Sequence, residues 1–70
     1  MADAMSNVKF AIPQWALDTA IEGLRELALR LEIEAASLSQ VNSRDAILMA
    51  DERLEQAVEV YRASEFLANL

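Results

Sequence analysis

The 70-residue chain has no cysteine and no histidine. Disulfides are excluded, and the usual zinc, haem and iron–sulfur ligand sets are missing. Its single glycine rules out a glycine-rich phosphate loop, and Ser6, Ser37, Ser39, Ser43 and Ser64 have no histidine to serve as base. An enzyme is therefore not expected, and no cofactor or metal is implied. Basic residues are scarce as well, six against twelve acids for a net charge of −6. Scattered from Lys9 to Arg62 rather than clustered, they offer a phosphate backbone repulsion rather than a footing. No apolar run is long enough to span a bilayer, and Met1–Asn7 lacks the basic start and apolar centre of a signal peptide. These readings set the expectation of a cytoplasmic protein with no membrane association.

A chain this short supplies only about 3–5 kcal/mol from its own core unless something staples it. With no disulfide or metal to do so, association with another chain is the remaining way to bury enough surface.

Between Pro13 and Leu38 the sequence is rich in pattern. Leu17, Ile21, Leu24, Ala28, Leu31, Ala35 and Leu38 follow at alternating spacings of four and three, the apolar seam of a coiled-coil helix. Before it, Met1–Asn7 reads as a flexible tail, and Val8–Ile12 alternates as a short extended segment does. Pro13, with φ preset near the helical value, is placed at the first helical position, and the helix is expected to span about 13–40. Gly23 lies beside the seam, either admitting a close backbone neighbour or sitting tolerated at the surface at a cost of about 1 kcal/mol relative to alanine.

Residues 41–44 interrupt the pattern as a turn. Asn42 or Ser43 can cap a second helix, and Asp45 then lies in its first turn, where the helix dipole favours an acid. That helix is expected over about 44–68, with the seam Ile47, Ala50, Leu54, Ala57, Tyr61, Ser64 and Ala68. So short a connection makes the helices antiparallel, and facing residue numbers must then have a constant sum. The seven pairs all add to 85, from Leu38 with Ile47 to Leu17 with Ala68. Large layers (Leu38/Ile47, Leu31/Leu54, Leu24/Tyr61) enclose the small ones Ala35/Ala50 and Ala28/Ala57. The same sum pairs Glu32 with Arg53 on one flank, and Leu27 with Val58 and Glu34 with Asp51 on the other.

The expected fold is all-α: an antiparallel two-helix hairpin forming one domain over residues 8–70. Leu27 and Val58, with Ala20, Val60 and Leu67, make the apolar stripe wider than one hairpin can cover, so dimerisation into a four-helix bundle is expected. The pattern over Pro13–Ala68 resembles the Rop family of helical-hairpin dimers, whose core also alternates alanine and leucine layers. That resemblance implies shape and a two-fold dimer. Rop-like proteins bind RNA through a basic helix face, and this chain has no matching row of lysines.

Candidate surfaces are apolar. Leu29, Ile33 and Ala36 on the first helix and Leu48 and Met49 on the second lie away from the seam near the turn, as a protein-binding patch or as the dimer interface itself. At the other end Phe10, Ile12, Trp15, Tyr61, Phe66 and Leu67 gather; they are expected to close the open end of the bundle, with Trp15 and Phe66 turned outward and free for binding. Glu32, Glu34, Asp51, Glu52 and Glu55 read as a solvated face rather than a metal site, because their spacing matches no calcium loop. The expected function is a small non-enzymatic protein–protein interaction module, of adaptor, chaperone or inhibitor type, acting as a homodimer. The alternative is a DNA-binding regulator or antitoxin, since Val8–Ile12 followed by Pro13 is similar to the opening of the ribbon-helix-helix family. Against it stand the length of the first helix and the excess of acids.

Overall fold

The computed structural model describes residues 11–70. It holds two antiparallel α-helices, α1 (Gln14–Ser39) and α2 (Arg44–Ala68), packed side by side as a hairpin. Among the described residues there is no strand. Of the expected extended segment, Ala11 is helical and Ile12 a bend, while Val8, Lys9 and Phe10, like Met1–Asn7, lie outside the described residues.

Pro13 occupies the cap of α1 rather than its first helical position. Its ψ of 145° is extended, which sets its carbonyl to accept from the N–H groups of Ala16 and Leu17, both at 3.1 Å. The turn needs no glycine, because no described residue has positive φ. Val41 N–H returns to the Leu38 carbonyl at 3.1 Å, and Ser43 N–H to the Val41 carbonyl at 2.8 Å. Ser43 caps α2, its Oγ accepting from Ala46 N–H at 3.4 Å, and Asp45 stands in the first turn.

The helices meet through their smallest residues. Ala28, Ala35, Ala50, Ala57 and Ser64 are buried along with Ile21, and these six fall into the expected layers Ile21/Ser64, Ala28/Ala57 and Ala35/Ala50. Alanine at every seventh position lets two helix axes approach to the short end of the usual range. Ser64 costs nothing unpaired, since its Oγ donates to the Tyr61 carbonyl at 2.7 Å.

The large layers depart from expectation. Ile47, Leu54 and Tyr61 remain 51, 46 and 39 % exposed, and Leu24, Leu31 and Leu38 are half-buried. Where alanine and serine bring the axes close, a side chain of leucine size has no room on the line between them and moves to a flank. α2 is turned accordingly. Ala46 is buried in place of Ile47, and Arg53, Val60 and Leu67 are more covered than Leu54, Tyr61 and Ala68.

Two helices of 26 and 25 residues make a single layer, about 38 Å long at 1.5 Å per residue. The hairpin has a seam but no enclosed core of large side chains.

Candidate interaction surface

An α-helix advances about 100° per residue, so each helix presents a flank on either side of the small-residue line. On α1, Leu17, Leu24, Leu31 and Leu38 lie about 50° to one side of Ile21, Ala28 and Ala35; Arg25 and Glu32 lie about as far to the other. On α2, Ala46, Arg53, Val60 and Leu67 lie to one side of Ala50, Ala57 and Ser64, with Ile47, Leu54 and Tyr61 opposite.

Two contacts show which flanks meet. Arg53 Nε donates to Glu34 Oε2 at 3.1 Å, joining the leucine side of α1 to the Arg53 side of α2. On the reverse side Glu32, Ala36 and Ser39 line a shallow groove of about 260 Å³ with Ile47, Asp51 and Leu54. The expected pairs Glu32/Arg53 and Glu34/Asp51 are thus exchanged. A constant sum describes residues on the line of contact, but side chains flanking it meet like with like when helices run oppositely. Positions on the same rotational side of the inward residues meet, as Glu34, one residue before the buried Ala35, meets Arg53, four residues before the buried Ala57.

The hairpin therefore has a leucine side and a groove side. The groove is apolar in its floor and acidic at its rim. Beside it, hydrogen bonding to Glu32 holds the Tyr61 hydroxyl above its usual pKa of about 10, assisted by desolvation and by the carboxylate charge. No three acids among the described residues are grouped to hold a metal ion. No helix among them is long and apolar enough to cross a membrane.

Every residue expected on the interaction surface is exposed. Leu29, Ile33 and Ala36 project from the groove side of α1, and Val58 from the groove side of α2. Leu27 projects from the leucine side of α1 and Met49 from that of α2, while Leu48 points off the back. They are not one patch. Trp15, 73 % exposed, and Phe66 stand clear of the hairpin at its open end, where a recess of about 450 Å³ lies between Leu17, Ile21, Leu67 and Ala68. The expected closure by aromatic side chains is not formed within the hairpin, and Phe10 lies outside the described residues. Among the described residues nothing packs on Gly23: a Cβ there would meet no neighbouring atom within 4 Å.

Two features escaped the sequence reading, the burial of Ala46 and the inward turn of Arg53 and Val60. Applying the like-with-like flank rule to Glu34 and Arg53 would have exposed both. Comparison with protein-family models, with curated proteins and with solved structures finds no match to this chain.

Proposed function

We propose that this chain is a small non-enzymatic protein–protein interaction module that acts in the cytoplasm as a homodimeric four-helix bundle, without a cofactor. One observation carries the reading: the hairpin buries alanine and serine and leaves its large apolar side chains uncovered. Twelve large hydrophobic residues are exposed, and Leu17 and Ile21 are the only ones larger than alanine in the buried set among the described residues. Stable domains are built of at least two packed layers. The single layer leaves large apolar side chains uncovered on both flanks of its seam, and a specific interface buries roughly 800 Å² on each partner.

An interaction role rather than a purely structural one is supported by the hairpin having two apolar sides. A single partner copy covers one of them and leaves the other open to a different protein. Sedimentation equilibrium of the full chain at micromolar concentration tests the association. A mass of twice 7.8 kDa is expected; a well-folded, helical monomer would overturn the proposal.

A further inference from the structure

The two sides of the hairpin differ in charge, and that difference selects what can cover each of them. On the leucine side, Leu24, Leu27, Leu31 and Leu38 of α1 lie next to Val60 and Leu67 of α2. Within about 100° of the small-residue line on this side, α1 carries only Glu34 among charged residues from Leu17 to Leu38, and α2 carries only Arg53. Arg53 is already neutralised by Glu34 at the edge of the same side. The groove side is different: Asp18, Glu22, Glu32, Asp51 and Glu65 stand along it against Arg25 and Arg44.

We infer that the leucine side is the face on which a second copy of this chain docks, with the Glu34–Arg53 pair of each copy drawn into the interface. The inference rests on the homodimer reading above and names its surface. Two copies each carrying −6 repel as they approach. A self-association face must therefore be free of unbalanced charge, and only the leucine side is. A copy placed on the groove side would set Glu32 and Asp51 of one chain against acids of the other, a like-charge juxtaposition that disfavours association. Two helices of 26 and 25 residues, about 38 Å long at 1.5 Å per residue and roughly 20 Å across side by side, also give a face of the order of the roughly 800 Å² per partner of a specific interface.

Closing the leucine side changes the status of the ion pair. With relative exposures of 31 and 47 % it is a surface pair in the hairpin. Covered by a second copy, it becomes a partly buried pair whose partners depend on each other.

The chain has no native cysteine, so single thiols can be placed cleanly. Leu31→Cys on the leucine side and Leu54→Cys on the groove side are alkylated in the full chain over a hundredfold range of protein concentration. Sedimentation equilibrium and helicity are recorded for each variant. The Leu31→Cys thiol should react at least tenfold more slowly at concentrations where the dimer forms, and the Leu54→Cys thiol should change by less than twofold. If the wild-type chain sediments as a monomer, the homodimer reading fails and this inference with it. If the chain is a dimer but Leu54→Cys is the protected thiol, or both are protected alike, the face assigned here is wrong while the dimer stands. A variant that loses its helicity is replaced by thiols at Leu27 and Val58, exposed on the same two sides, with the same expected contrast.

Discussion

The leucine side and the groove side of the hairpin are made of similar apolar side chains and differ in what surrounds them. On the leucine side the large residues come mainly from α1, and Leu24, Leu31 and Leu38 are half-buried on the flank they share with Ala46, Arg53 and Val60. On the groove side they come from α2, and Ile47, Leu54 and Tyr61 stand over the acidic flank of α1 with little beneath them. Apolar area alone would therefore rank the groove side as the greater need for a partner. The distribution of carboxylates reverses that ranking for a second copy of the same acidic chain, because like charges at an interface oppose association more than a few extra methylene groups favour it.

The comparison depends on the close seam that forces large residues outward, so filling the seam should break it. Ala28 and Ala57 face each other at 0 and 2 % exposure. Ala57→Leu is expected to cost about 1–3 kcal/mol through overpacking, read as a lower denaturation midpoint by circular dichroism. It should also bring the two sides closer in character, since axes pushed apart would readmit Leu54 towards the middle. An unchanged midpoint would mean that the helices do not meet at this layer.

A gentler change sharpens the comparison at the outer edge of the leucine side. Gly23 has open space where a Cβ would go, so Gly23→Ala should stabilise helix α1 by about 1 kcal/mol. Chemical denaturation measured at several protein concentrations checks it. Destabilisation that grows with concentration would place the backbone of a second copy against Gly23, extending the covered face beyond the leucines.

The smallest expected effect belongs to the groove side. Tyr61 is the only tyrosine, and its phenolate absorbance should titrate above pH 10 and move back towards 10 in Glu32→Gln. The folded chain holds this proton more tightly than the unfolded one. Its contribution is therefore present in full below the unfolded pKa and is lost as the pH rises through the raised value. An unshifted titration in Glu32→Gln would remove Glu32 from the cause. Because the residue is exposed, any change in overall stability should be small.

The hairpin, its turn and its layers were legible because a helix writes its period into the chain. Seams spaced by three and four and broken at residues 41–44 specify two helices, and the sum of 85 specifies which layers oppose one another. The small layers obeyed that arithmetic since alanine and serine fit on the line of contact wherever the axes settle. The large layers did not: the arithmetic counts positions and takes no account of volume. The flank pairs were misread for a related reason, in that Glu34 and Arg53 meet beside the line of contact, where opposed helix directions change the pairing rule. Of the candidate surface, exposure was legible residue by residue, but the division of Leu27 and Met49 from Leu29, Ile33 and Val58 was not.

What the sequence determined by itself is the order of things along the helix axes: where the helices begin and end, which layers are small, and how much charge the chain carries. What only the tertiary structure decided is rotation about those axes. The turn of α2 that buries Ala46, draws in Arg53 and leaves Ile47, Leu54 and Tyr61 outside comes from fitting side-chain volumes between two closely approached backbones. Periodicity locates a stripe to within about one residue, or 100°, and that margin separates the leucine side from the groove side.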